Sequence, residues 1–148
     1  MERKELLATC EEIFDAIDER DPTWRERVAR LEQTFGHRDL EAWFFGDQTA
    51  AYIAARLLFV AQHQARTLDD FDLERLVAMV RYSLGSEAEV DGAEDVLKKA
   101  LRTPQLDALL RDSELSPRAV VRIAQTGADM AVPLSAGAPL ESDESDDL

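Results

Sequence analysis

The chain has 148 residues, 45% hydrophobic and 32% charged, with 31 acidic against 17 basic side chains and a formal net charge of −14. No apolar run approaches the roughly 20 residues a membrane span requires, and the start Met-Glu-Arg-Lys-Glu lacks a signal peptide's apolar stretch. A cytoplasmic chain without a membrane partner is expected, and the lone Cys10 excludes an internal disulfide or a cysteine zinc site.

In chain order, Leu6, Cys10, Ile13, Phe14 and Ile17 recur at spacings of three and four, which places them on one helix face. Asp21-Pro22 reads as an N-cap followed by proline at the first helical position. The helix it opens carries Trp24, Val28, Leu31 and Phe35 on one stripe, with Gly36 as a left-handed C-cap. A short third piece holds Leu40, Trp43 and Phe44 and ends near Gly46.

Asp47 then reads as the cap of the most apolar segment. Between Thr49 and Ala61 only Arg56 is charged, and Ala50, Ala51, Ala54 and Ala55 alternate with Tyr52, Ile53, Leu57, Leu58, Phe59 and Val60. A helix apolar on nearly every side is one that its neighbours surround, so residues 48–66 are expected at the centre.

Asp69 and Asp70 precede a helix bearing Phe71, Leu73, Leu76, Val77, Val80 and Leu84, which Gly85 is expected to close. An acidic link, Ser86–Asp91, leads into Ala93–Leu101 with Val96, Leu97 and Leu101 as its apolar set. Thr103-Pro104 and Ser116-Pro117 each place a hydroxyl cap before a proline, and the last helix runs to about Thr126, where Gly127 stops it.

The pattern predicts an all-α fold: a single compact multi-helix bundle of about seven helices over residues 1–127. From Ala128 onward there are six acids (Asp129, Glu141, Asp143, Glu144, Asp146, Asp147) and no Lys or Arg, leaving −8 on residues 1–127. Like charge, prolines and low apolar content predict a disordered tail over 128–148.

Groups that carry chemistry are scarce. His63 has no acidic residue three or four positions away, and His37 follows the helix-ending Gly36, so a hydrogen-bonded or capping imidazole accounts for each. Cys10 shares a face with Leu6 and Ile13 and reads as a small buried hydrophobe. The alternating acids of Ser86–Gly92 lack the ligand spacing of a calcium loop, and there is no glycine-rich phosphate loop. No catalytic, cofactor-binding or metal residues are assigned, and a non-enzymatic protein without cofactors is expected.

The stretch from Leu106 to Ile123 is similar to a helix-turn-helix. Leu109, Leu115, Val120 and Ile123 occupy the motif's apolar positions, while Ser116 caps a second helix from which Arg118 and Arg122 project as phosphate or base contacts. Glu114 stands where the turn usually has glycine, and Leu110 where the first helix usually has a small residue. Two short capped helices joined by a turn also occur in bundles generally, and a charge of −14 opposes phosphate at ordinary salt.

Interaction with a protein therefore ranks first: a non-enzymatic adaptor, chaperone-like factor or inhibitor of a basic partner. Trp43, Phe44 and Phe45 are consecutive and cannot share one face of a helix, so at least one is expected as an exposed interface anchor. The tail residues Glu141, Asp143, Glu144, Asp146, Asp147 and Leu148 form a charged tether ending in an apolar residue, a format a basic groove captures. The alternative is a DNA-binding regulator using residues 105–124, with nucleic acid as partner, from a salt-adapted organism; three lysines beside fourteen arginines fit such an origin. A homodimer is compatible with either.

Overall fold

A computed structural model describes residues 1–126. Eight helices cover them: α1 (Arg3–Asp18), α2 (Trp24–Phe35), α3 (Glu41–Phe44), α4 (Ala50–Gln64), α5 (Asp70–Tyr82), α6 (Glu87–Ala100), α7 (Leu106–Arg111) and α8 (Pro117–Thr126). The fold is an all-α bundle, as the apolar periodicity predicts, and its eight helices agree with the expected count of about seven.

Several caps fall where the sequence puts them. Gly36 takes φ +61° after α2. Asp69 and Asp72 form a reciprocal capping box at the start of α5, and Ser116 Oγ accepts the Ala119 N–H at 3.1 Å to open α8.

Other boundaries shift, each for a local reason. Asp21 Oδ1 accepts both the N–H and the hydroxyl of Thr23, at 3.0 and 2.9 Å, closing a turn that delays α2 to Trp24. Thr103 does the same with the Gln105 N–H, so α7 begins at Leu106 rather than at Pro104. Thr49, not Asp47, caps α4, because its hydroxyl stands three residues before the Tyr52 N–H it accepts at 3.1 Å. Ser83, not Gly85, supplies the left-handed residue that ends α5, with φ +52°.

Ser86–Asp91 is not a link. Ser86 and Glu89 form a second capping box, so α6 starts at Glu87 and runs through the acidic stretch. Gly92 sits mid-helix where a Cβ would lie 2.8 Å from the Phe59 ring; its lack of a side chain lets α6 approach α4 closely.

Among the described residues the buried side chains are all apolar, and they form two clusters. Leu6, Cys10, Ile13, Val28, Leu31, Leu40 and Phe44 gather from α1 to α3 around Ile53, Ala54 and Leu57 of α4. Val60, one turn on, belongs to the second cluster, with Leu73, Leu76 and Val77 of α5, Val96 and Leu97 of α6, and Val120 and Val121 of α8. Helix α4 therefore serves both cores along its length, which is why its sequence is apolar on so many sides.

Candidate functional site

The aromatic trio lies where α3 meets α2. Leu40 is fully buried, and its N–H donates to Glu32 Oε2 of α2 at 2.9 Å, which fixes the start of α3. From that anchor the three rings separate as helix geometry requires. Phe44 enters the core and meets Phe14 of α1 at a ring distance of 5.1 Å. Trp43 is half-buried between His37, 4.9 Å away, and the Arg56 guanidinium, 3.9 Å from the ring centroid. Phe45 is 58% exposed, with its ring edge-on to Trp24 at 5.1 Å.

Phe45 borders a surface groove of about 710 Å³ that Glu32, Arg38, Asp39, Glu41 and Ala42 also line. Three carboxylates against one guanidinium give this groove an acidic rim. The arrangement, one exposed aromatic beside a concave acidic wall, is chemically suited to holding an apolar side chain flanked by cations.

Behind it lies a polar network that the sequence reading did not find. Arg56 of α4 meets Asp95 of α6 through two hydrogen bonds, Nε to Oδ2 at 2.7 Å and Nη2 to Oδ1 at 2.9 Å. Its Nη1 donates to the Tyr52 hydroxyl at 3.2 Å, and that hydroxyl donates to Asp91. Burial disfavours the charged guanidinium, but the Asp95 hydrogen bond and the charges of Asp95 and Asp91 outweigh it and raise its pKa. Burial first, and the Asp91 hydrogen bond second, push the Tyr52 hydroxyl up to about 12. A signal was available: Tyr52 and Arg56 are four apart on one helix, as are Asp91 and Asp95 on another, so two facing turns carry matching polar groups.

Helices α7 and α8 follow one another across a short turn, and α8 packs Val120, Val121 and Ala124 inward. Ser116 is occupied as the cap. Arg118 and Arg122 share the exposed face, and Arg118 Nε lies 3.5 Å from Glu74 Oε2 of α5. The turn is held from outside, because the Arg81 guanidinium of α5 donates to the carbonyls of Leu109 at 3.1 Å, Leu110 at 3.3 Å and Leu115. The tail residues Glu141, Asp143, Glu144, Asp146, Asp147 and Leu148 lie outside the described residues, as does Gly127.

Both imidazoles are hydrogen-bonded. His37 Nδ1 donates to the Arg38 carbonyl and His63 Nδ1 to the Phe59 carbonyl, each at 2.8 Å. Cys10 is fully buried; desolvation, with the Glu11 charge adding to it, pushes its thiol up to about 12. Among the described residues no group of three His, Cys, Asp or Glu side chains is placed to hold a metal ion. No described helix is long and apolar enough to cross a membrane. The chain matches no protein-family model, no curated protein and no solved structure.

Proposed function

We propose that this protein is a non-enzymatic, cytoplasmic interaction module that docks a basic protein partner at the corner formed by α2 and α3. One observation carries the reading: Phe45 stays 58% exposed just after α3, beside Trp24 and an acidic groove, while its neighbour Phe44 is buried. A large ring held in one position in solvent contributes contact area to a complex with little further ordering, which is the property of an interface anchor. The acid rim, set in a chain of net charge −14, speeds encounter with a cationic partner and selects against acidic ones.

The test is a comparative capture from the native host with the intact protein and with Phe45→Ser, using Phe71→Ser as a second exposed-ring variant. A basic protein that the intact chain and Phe71→Ser both retain, and that Phe45→Ser loses, supports the proposal. Equal retention by all three removes it. Raising the salt concentration should weaken capture, because the steering charges are screened.

A second reading rests on Arg118 and Arg122, which share the exposed face of α8 after a turn. As a DNA contact this pair is handicapped by Glu74, whose carboxylate competes with phosphate for Arg118. A gel-shift titration with generic duplex across a salt series decides it, and absence of binding at low salt excludes it.

A further inference from the structure

The outward face of α5 carries large exposed apolar groups, where a helix is ordinarily polar. Phe71, Arg75, Ala78 and Tyr82 follow at intervals of four, three and four residues, so the helical rotation aligns them in one stripe. Phe71 is 65% exposed and Tyr82 58%; Leu84, just past the helix, is 51% exposed. The opposite face of α5, through Leu73, Leu76 and Val77, packs in the second core. Repulsion between copies of this acidic chain is least here. Residues 66–84 and 105–126 together carry seven acids and six arginines, against thirteen acids and seven cations on residues 1–47.

The stripe is a palindrome, because its intervals read the same in both directions. A second α5 can lie antiparallel on the first, about a two-fold axis level with the Leu76–Val77 peptide. That sets Phe71 against the partner's Tyr82 and Arg75 against the partner's Ala78. Rings meet rings, and the long side chain falls over the small one. The Arg75 guanidinium leans to 6.0 Å from the Phe71 ring centroid. The two guanidinia thus lie toward opposite ends of the contact, each between its own Phe71 and the partner's Tyr82.

The same axis pairs the charges beside the stripe. Helix α8 runs antiparallel to α5: Arg118 Nε lies 3.5 Å from Glu74 Oε2, and Gln125 Nε2 donates to Asp70 Oδ1 at 2.9 Å. Arg122, exposed and between those two contacts along α8, is level with the first turn of α5. The α7–α8 turn, whose Leu115 carbonyl accepts from Arg81, is level with the last turn. An axis lying in the interface keeps each α8 on the same flank and exchanges the first and last turns of α5. It brings Arg122 opposite the partner's Glu114, an exposed acid of that turn, and does so twice.

We propose that two copies of this chain form an antiparallel dimer through the α5 stripe, with Arg122 of each opposite Glu114 of the other. The area makes this dimer weak. An aromatic side chain buries about 150–250 Å², so the two part-exposed rings with Arg75, Ala78 and Leu84 give roughly 400–500 Å² per copy, against ~800 Å² per partner in a standard interface. A Kd on the order of 100 µM is expected of so small a contact. The Phe45 corner lies on a different face, and the dimer stands or falls independently of it.

Sedimentation equilibrium of the full chain, from about 10 µM to 1 mM, brackets that value. The average mass should climb toward twice that of one chain. Phe71→Ser combined with Tyr82→Ser should hold it at one chain throughout; both side chains are exposed, as are Arg122 and Glu114, so the core is untouched. Arg122→Glu and Glu114→Arg each set like charges opposite one another and should weaken association about tenfold. Mixed in equal amounts, those two variants restore both opposite-charge pairs across the axis and should associate within about threefold of the unaltered chain. Absence of dimers at the highest concentration overturns the proposal, as does association that survives loss of both rings. Failure of the mixture to recover also overturns it, because Arg122 then does not face the partner's Glu114.

Discussion

Removing the Arg56–Asp95 pair one side at a time should expose how much of the α4–α6 contact it holds. The two hydrogen bonds, at 2.7 and 2.9 Å, join side chains that are 20% and 18% exposed. Bonds between charged partners contribute about 1.5–3 kcal/mol each when shielded, and residual solvent access brings the coupled pair to about 2–3 kcal/mol in total. Arg56→Leu also forfeits the stacking on Trp43, about 0.5–1 kcal/mol, and leaves Asp95 half-buried without its partner. We therefore expect Arg56→Leu to destabilise by about 3 kcal/mol and Asp95→Leu by about 2 kcal/mol. The double variant should lose no more than the worse single change, because each single variant's penalty is chiefly the charge left behind. Urea unfolding followed by circular dichroism on all four proteins closes the cycle. Single-variant losses that simply add, within about 0.5 kcal/mol, refute the coupling.

Three further outcomes follow from the packing. Gly92→Ala should destabilise by about 1 kcal/mol in urea unfolding: the new Cβ meets the Phe59 ring at 2.8 Å, and an overpacking cost of about 2 kcal/mol exceeds the gain of about 1 kcal/mol in helix propensity. Arg81→Met should cost about 2 kcal/mol by leaving three carbonyls at the α7–α8 turn without their donor, and hydrogen exchange should rise first in that turn. Alkaline titration should destabilise the fold in two stages, since Cys10 and Tyr52 both have folded pKa values of about 12 above the ordinary 9.0 and 10.0. The stability each contributes is complete below its ordinary value and is lost as pH rises toward 12; urea midpoints should fall from pH 9, and Tyr52→Phe should soften only the part above pH 10.

The Phe45 corner and the α5 stripe are different kinds of surface, and their chemistry separates them. Phe45 sits among Glu32, Asp39 and Glu41, so its neighbourhood is acidic. The stripe carries Arg75 at its middle and is apolar on either side. An acidic segment is repelled by the first and held by the second.

The sequence by itself determined that the fold is helical and which side most of the helices bury, though not where each one starts. Leu6, Cys10 and Ile13, or Val28 and Leu31, needed only spacing to be placed in a core, because the helical period is a local property and each apolar stripe has one way to leave water. It also narrowed the aromatic trio to a geometric certainty: three consecutive side chains cannot all turn inward. Cap residues were legible where a single side chain had one amide to satisfy, as at Ser116. They were misplaced where Asp21 and Thr103 could close a tighter turn two residues on.

Tertiary structure alone decided that Phe44 is the ring that goes in and Phe45 the one that stays out. It also decided that Arg56 finds Asp95 across 39 residues of chain, and that Arg81 reaches the carbonyls of the α7–α8 turn. These outcomes depend on which helices meet and at what height, and that is set by the packing of distant apolar faces. A local pattern shows that a side chain needs a partner; only the assembled bundle brings the partner within reach.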